Sequence, residues 1–204
     1  MFFRVFRGES FRSIQFAMPI LSHEPDCYPS DLFDAERPPA DDPARRWWLV
    51  YTRSRREKDL MRRLLAARIW FYGPVVARRQ RSPSGRVRES FVPLFSGYVF
   101  LYGSEEDRRT ALTTNCISTM TSVADEGRLF TELARVARLV ATNVPITPEE
   151  RLESGQAVRV ASGPLKGQEG IVIQRRGKRR LLVAIDLLQQ GASVDLDECD
   201  VQAL

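Results

Sequence analysis

The chain has 204 residues, 43% of them hydrophobic, enough for one ordinary domain or two small ones with packed cores. It contains no apolar run of about 18 residues, the minimum for a membrane-spanning helix. The net charge is +5, and residues 45–90 alone carry 14 Arg or Lys against 3 acidic residues, whereas residues 18–44 carry one Arg against seven acidic residues. This basic stretch favours phosphate-bearing partners.

Histidine and cysteine usage argues against most catalytic chemistry. The only histidine is His23, and Cys27, Cys116 and Cys199 are far apart with no CxxC pair. Hydrolases with a His base and most zinc enzymes are therefore not expected, and no Gly-rich phosphate loop follows a predicted strand. We predict no enzymatic activity, metal site, cofactor or disulfide, and a monomer in a reducing cytoplasm.

Residues 1–44 are predicted to be a disordered leader, because they are rich in proline and acidic residues. The opening MFFRVFRGESFRSIQF lacks the unbroken apolar stretch of a secretory signal, and Met18 is an alternative start.

Residues 45–142 are predicted to form an α+β domain that begins with the strand Trp47–Thr52. Ser54 is predicted to cap the next helix, with Glu57 completing a capping box. That helix carries an apolar stripe at Leu60, Met61, Leu64 and Leu65. Next come the strand Phe71–Arg81, a Pro-Ser-Gly turn and a returning strand over residues 86–92.

The same domain is predicted to continue with the strand Tyr98–Tyr102 and a helix capped by Ser104. The strand Ile117–Val123 follows, and then a helix whose apolar stripe comprises Leu133, Val136, Ala137 and Val140. The resulting order β-α-β-β-α-β, with a trailing helix, is ferredoxin-like.

Residues 143–154 are predicted to be a linker, because they contain two prolines and a charged run. Residues 155–204 contain short strands separated by glycine turns and are predicted to close into a small β-barrel. The predicted strands are Ala157–Ala161, Gly170–Arg175, Leu181–Asp186 and Ser193–Leu196.

Three segments together resemble the NusG family of transcription elongation factors. Residues 91–102 (FVPLFSGYVFLY) resemble the most recognisable segment of its N-terminal (NGN) domain, and residues 47–53 resemble that domain's opening strand. Residues 158–170 resemble the start of a KOW motif, which the family carries in an SH3-like C-terminal barrel. The resemblance implies a factor that binds RNA polymerase and modulates pausing or termination.

The strand Tyr98–Tyr102 is predicted to present its aromatic side chains on one face and Val99 and Leu101 on the other, under the helices. The resemblance implies that the aromatic face, with Phe95, Tyr98 and Phe100, binds a coiled coil of the polymerase clamp. The alternative is that these rings are core residues. Residues 110–115 (TALTTN) are similar to a threonine-rich turn of the specialised RfaH-like paralogues, which implies a second polymerase contact at Thr113 and Thr114; this segment is equally typical of a helix C-terminus.

Arginines at the first strand–helix junction and on the hairpin are predicted to contact nucleic acid through its backbone. The resemblance implies upstream DNA or the non-template strand as that partner. The residues are Arg53, Arg55, Arg56, Arg78, Arg79 and Arg81.

In the KOW-like segment the resemblance implies a binding surface for a ribosomal protein or for the terminator Rho. The residues assigned to it are Gly163, Pro164, Leu165, Lys166 and Gly170. Leu165 stands where the family has an aromatic residue, and Ser96 stands where it usually has proline. These departures favour a specialised, RfaH-like paralogue acting on selected operons.

Two other interpretations stay open. The chain could be an RNA-binding or ribosome-associated module without polymerase contact, because residues 96–102 also resemble an RNA-stacking strand. An enzyme would need the acidic residues of the C-terminal segment as a catalytic cluster, but a solvated rim is the simpler interpretation. Strand content is predicted for residues 155–204, without a switch to helix, because glycines recur through the segment.

Overall fold

The computed structural model describes residues 24–34, 44–81, 85, 87–152, 154–175, 177–196 and 199–204. Its strands are β1 (Cys27–Tyr28), β2 (Arg46–Thr52), β3 (Trp70–Tyr72), β4 (Val75–Arg81), β5 (Val87–Pro93), β6 (Tyr98–Gly103), β7 (Ile117–Ser122), β8 (Thr147–Glu149), β9 (Gln156–Val160), β10 (Glu169–Arg175), β11 (Lys178–Ile185), β12 (Gln190–Asp195) and β13 (Val201–Ala203). The α-helices are α1 (Glu57–Ala66), α2 (Glu105–Thr113) and α3 (Glu126–Ala141). None of the helices in this part of the chain is long and apolar enough to cross a bilayer.

The N-terminal sheet has the order β1-β3-β6-β2-β7, with antiparallel pairing throughout. Without β1, this is the strand order of the predicted ferredoxin-like arrangement. The central strand β6 is buried on both faces. Val99 and Leu101 lie in one apolar core with Leu60 and Leu64 of α1, as predicted.

The other face of this sheet is covered by α3. Phe100 and Tyr102 of β6 belong to a second apolar core, together with Leu133 and Val136 of α3. The backbone N–H of Trp47 donates to Glu126 Oε2 over 3.2 Å, which ties the start of α3 to β2.

Residues 24–34 belong to the folded domain, so the prediction of a disordered leader is wrong for this segment. Cys27 and Tyr28 pair with β3, and the amide of Gly73 donates to the Asp26 carbonyl over 2.7 Å. The Phe33 ring lies 4.9 Å from the Tyr72 ring and 5.5 Å from the Phe130 ring. Residues 24–34 therefore fill the space between the N-terminal sheet and α3. Residues 1–23 and 35–43 of the predicted leader, which include the alternative start Met18 and His23, lie outside the described residues.

The predicted strand Phe71–Arg81 is two strands, β3 and β4, separated by Gly73 and Pro74. Proline has no amide to donate to a ladder, and a Cβ on Gly73 would lie 2.6 Å from Met61 Sδ, so the main chain approaches α1 closely and changes direction here. β4 and β5 then form a two-stranded ribbon of their own, which confirms the predicted hairpin.

The helix starts were predicted with mixed success. Ser104 caps α2 as expected: its Oγ accepts from the Asp107 amide, and Asp107 Oδ2 accepts from the Ser104 amide. The capping box at Ser54 is wrong, because α1 begins after Arg56 with no side-chain cap. Glu57 lies in the first turn of α1, but its carboxylate accepts a hydrogen bond from the Gly97 amide and does not cap the helix.

The C-terminal part is an all-antiparallel sheet of six strands in the order β13-β9-β10-β11-β12-β8. The four predicted strands are present within one to three residues of their expected ends. β8 comes from the segment predicted to be a linker, so the linker prediction is wrong for residues 147–149. Among the described residues 155–196, one short 3-10 turn, Asp186–Leu188, interrupts the strands.

Candidate functional site

Two tyrosines form an exposed aromatic pair on the N-terminal sheet. Tyr51 of β2 is directly opposite Tyr98 of β6, and their ring centroids are 5.2 Å apart. Tyr51 is 47% exposed and Tyr98 is half-buried. The neighbouring strand positions on this face are Leu49, Thr119 and Thr121. We call these five residues the aromatic patch.

The rest of the predicted aromatic surface is buried. Phe100 is 0% exposed, Phe95 is 2% exposed, and their rings form an edge contact at 6.5 Å. Tyr102 is also buried, beside Trp47. The prediction of an exposed ring row is therefore wrong for these three residues, because α3 and residues 24–34 cover that end of the face. Of the row, Tyr98 alone is partly accessible in the described structure.

The loop before β6 holds the tyrosine pair in place. The Gly97 amide donates to Glu57 Oε1 over 2.7 Å, and the Gly97 carbonyl accepts from the Thr52 amide over 2.7 Å. Gly97 has φ +84°, a left-handed conformation that glycine adopts without strain. A Cβ here would lie 2.9 Å from Tyr51 Cε2, so the tyrosine ring packs directly on the glycine.

Sequence reasoning missed Tyr51 and Glu57. Alternation along the predicted strand Trp47–Thr52 places Trp47, Leu49 and Tyr51 on one face, so Tyr51 could have been found from that pattern once the pairing with Tyr98 was assumed. Glu57 acts through its hydrogen bond with Gly97, which lies 40 residues later in the chain. No pattern in the sequence predicts this contact.

The threonine segment is the C-terminus of α2. Thr113 is the last residue of the helix and Thr114 is its cap, and their hydroxyls donate to the carbonyls of Thr110 and Ala111 over 2.7 and 2.6 Å. Thr113 is exposed and Thr114 is half-buried. The alternative interpretation as a helix end is therefore confirmed, and the exposed Thr113 stays available to a partner.

The predicted nucleic-acid residues divide between two places. Arg55 and Arg56 at the start of α1 and Arg78 on β4 line one groove of about 1600 Å³. Arg53, Arg79 and Arg81 are exposed outside its lining, and Arg79 pairs with Glu89 over 3.1 Å.

The groove runs between the N-terminal domain and the C-terminal sheet. Its N-terminal wall adds two cations that sequence reasoning did not single out, Lys58 and Arg62. Its other wall consists of residues 146–150 and 190–191. Four acidic residues also line the groove: Glu57 accepts from Gly97, Glu149 accepts from Ser193, Asp59 pairs with Arg56 over 3.0 Å, and Glu150 is the fourth. The fold thus brings basic residues from distant parts of the sequence to one concave surface.

The KOW-like turn is exposed except for its apolar residue. Gly163, with φ +82°, Pro164 and Lys166 are exposed, but Leu165 is 1% exposed and belongs to the apolar core. The expectation that Leu165 lies on the surface is therefore wrong, because its side chain turns inward from the exposed turn. A Cβ on Gly170 would clash with the Leu182 carbonyl oxygen, so the main chains of β10 and β11 approach each other closely at this residue.

The acidic residues of the C-terminal part do not gather into a cluster in the described structure. Asp186 pairs with Arg128, Asp195 pairs with Lys178 and Arg180, and Asp200 accepts from the Ser162 hydroxyl. Asp197 and Glu198 lie outside the described residues. Cys27, Cys116 and Cys199 are free thiols.

Comparison with known proteins agrees with this geometry. The family model described as "Transcription termination factor nusG" matches residues 45–153, which is more than half of the chain and includes the whole ferredoxin-like sheet except β1. No curated protein matches the chain. The NusG family consists of non-enzymatic transcription elongation and termination factors that bind RNA polymerase. The chain belongs to the NusG family.

Proposed function

We propose that the aromatic patch is the surface that binds the polymerase clamp. The observation that carries this proposal is the exposed Tyr51–Tyr98 pair on the domain that matches the family. Exposed aromatic rings on a rigid sheet bury a large apolar area at little entropic cost, which is typical of interface hot spots. Phe95 and Phe100 support this surface from inside the core.

The groove is the proposed path of nucleic acid. Arg55, Arg56 and Arg78 would contact phosphates there, with Lys58 and Arg62, and none of the described residues that line the groove has an aromatic side chain to stack bases. Binding through phosphates alone depends strongly on salt and little on sequence. Upstream DNA or the non-template strand is the partner that the family resemblance implies.

The C-terminal sheet is proposed to be a KOW barrel that recruits a ribosomal protein or Rho through the exposed Gly163, Pro164 and Lys166. Ser96 and Leu165, where the family has proline and an aromatic residue, support a specialised paralogue acting on selected operons. Thr113 supports a further polymerase contact.

The test is binding of core RNA polymerase to the wild-type chain and to a Tyr51→Ala/Tyr98→Ala variant. The matched control is Leu187→Ala, which removes an exposed apolar side chain from the C-terminal part. We expect the double variant to bind about tenfold or more weakly, because hot-spot rings contribute about 2 kcal/mol or more. Wild-type affinity in the double variant, with circular dichroism unchanged, would remove the patch from the interface.

A second candidate function is single-stranded RNA binding by the same two rings. Its support is that Tyr51 and Tyr98 lie side by side on adjacent central strands, the arrangement in which RNA-binding sheets stack bases. A wild-type chain that retains RNA but no polymerase would favour this function over the first.

The groove has its own test. Arg55→Ala/Arg78→Ala should weaken DNA binding uniformly across sequences and reduce its salt dependence. Arg109→Ala/Arg138→Ala is the matched control, because it removes two exposed arginines, on α2 and α3, outside the groove. Equal losses in the two proteins would show that net charge alone, and not the groove, is responsible.

A further inference from the structure

Helix α3 is packed on two sides. Toward the N-terminal sheet, Glu126 accepts from the Trp47 amide and the Phe130 ring contacts Phe33. Toward the C-terminal sheet, residues spaced at i, i+4 and i+7 (Arg128, Glu132 and Arg135) form a single charged face. A helix at the edge of an independent domain would leave that face in water.

The charged face is bonded to the C-terminal sheet at two points. Glu132 Oε2 accepts from the Asp186 amide over 3.1 Å, and Arg128 pairs with the Asp186 carboxylate. Arg135 Nη2 donates to Glu169 Oε2 over 2.8 Å, and Arg159 of β9 holds the other oxygen of Glu169. We call these contacts the clasp; its residues are Arg128, Glu132, Arg135, Glu169 and Asp186.

Apolar packing continues beneath the clasp. Leu133, Val136 and Leu139 of α3 are fully buried, and they share one core with Val183 and Ile185 of β11. The core of the N-terminal domain therefore runs without a break into the C-terminal sheet. Charged contacts around a buried apolar centre are the usual anatomy of a specific interface.

The segment that connects the N-terminal domain to the C-terminal sheet is also fixed in place by hydrogen bonds. Only residues 142–146 separate the end of α3 from β8, which pairs with β12. Ser193 Oγ donates to Glu149 Oε1 over 2.5 Å, and Arg180 Nη2 donates to Thr147 Oγ1 over 2.8 Å. A stretch this short, bonded at both ends, gives the two parts little independent motion.

We propose that the N-terminal domain and the C-terminal sheet form one rigid body, with α3 as their shared element and the clasp setting their orientation. In this arrangement the aromatic patch and the turn at Gly163–Lys166 are exposed at the same time. A partner on the turn is thus held in a fixed direction from the patch, and no domain-opening step precedes binding at either surface. The proposal does not depend on what the patch binds.

The test is ¹⁵N relaxation of the full chain, which reports a rotational correlation time for each part. We expect a single correlation time in the wild type. In Glu132→Ala/Arg135→Ala the single value should split into two, with the shorter correlation time for the C-terminal part, because the proposal assigns the orientation of the two parts to the clasp. Arg138→Ala, an exposed position on the same helix, should keep the single value.

Two different correlation times in the wild type would overturn the proposal. If the double variant loses its folded spectrum, Glu169→Ala takes its place, since this residue lies on β10 and leaves α3 intact. A single correlation time that survives in the folded clasp variants would show that the orientation is set by the apolar core and β8, and would remove the clasp from the proposal.

Discussion

The ring of Tyr51 lies 5.2 Å from the ring of Tyr98 and packs on Gly97, whereas Phe100, two residues further along the same strand, has no exposed surface. One strand therefore supplies an accessible ring and a core ring on the same face. The difference arises because α3 and residues 24–34 cover one end of that face and leave the other open.

This difference predicts that two similar substitutions lower the free energy of unfolding by different amounts. Phe100→Ala should lower the free energy of unfolding by about 3–5 kcal/mol, because it empties a fully buried aromatic site. Tyr51→Ala should lower it by about 1 kcal/mol or less, because nearly half of the ring is already in water. Urea denaturation measures both values. Equal costs would mean that the patch is part of the core.

Gly97→Ala should destabilise the fold for two reasons that a control separates. The residue has φ +84°, and its Cβ would meet the Tyr51 ring at 2.9 Å. Gly167 has the same φ of +84°, and no atom of the described part of the chain lies within 4 Å of its Cβ position. Gly167→Ala therefore measures the backbone strain alone, of about 1–2 kcal/mol. We expect Gly97→Ala to cost more in thermal denaturation and to weaken polymerase binding; equal costs at the two positions would show that the Tyr51 ring gives way freely.

The two serines predicted as helix caps should behave differently. Ser104→Ala removes a hydroxyl that accepts from the Asp107 amide and should cost about 1 kcal/mol. Ser54→Ala should change stability by less than about 0.5 kcal/mol, because α1 starts after Arg56 without a side-chain cap. Chemical denaturation compares the two; a matching loss at Ser54 would restore the capping box there.

Glu132 is the clasp residue whose charge and hydrogen bond can be separated. Burial raises the pKa of its carboxyl group above the ordinary value of 4.5, and Arg128 opposes this rise. Because the pKa is raised in the folded state, the stability that depends on this carboxyl group is fully present below about pH 4.5 and is lost as the pH rises through the raised pKa. Glu132→Gln keeps an oxygen for the Asp186 amide and should be about neutral at pH 7. Glu132→Ala leaves that amide unpaired and should cost about 1–3 kcal/mol in the free energy of unfolding. A larger loss for Gln than for Ala would contradict this account.

The contribution of Glu169 to stability should depend on pH in the opposite direction to that of Glu132. Its hydrogen bond from Arg159 is the largest cause that holds the pKa of its carboxyl group below the ordinary value of 4.5; burial opposes this shift, and the charge of Arg135 adds to it. Its stabilising effect is therefore fully present above about pH 4.5 and is lost as the pH falls through the lowered pKa. The stability difference between wild type and Glu169→Gln should be constant near pH 7 and shrink below about pH 4.5. A difference that grows on acidification would reverse the sign of this contribution.

The local elements and the segments that resemble the family can be predicted from the amino-acid sequence. Alternating β-branched and aromatic residues marked β2, β6 and β7, and the stripe at Leu133 and Val136 marked α3. These signals are local: side-chain periodicity reflects which face of a single element is buried. The Ser104 cap was found for the same reason, since all of its atoms come from neighbouring residues.

Which faces of the sheets are covered can be seen only in the tertiary structure. Phe100 and Tyr98 follow the same alternation, so no strand pattern distinguishes the buried ring from the accessible one. Residues 24–34 look like an acidic, proline-containing leader, yet their place in the core depends on Tyr72 and Phe130, distant in sequence. Likewise, residues 147–149 read as a linker and become a strand because β12 offers a free edge. Coverage and edge pairing are set by contacts between distant parts of the chain, and periodicity within one segment carries no information about them.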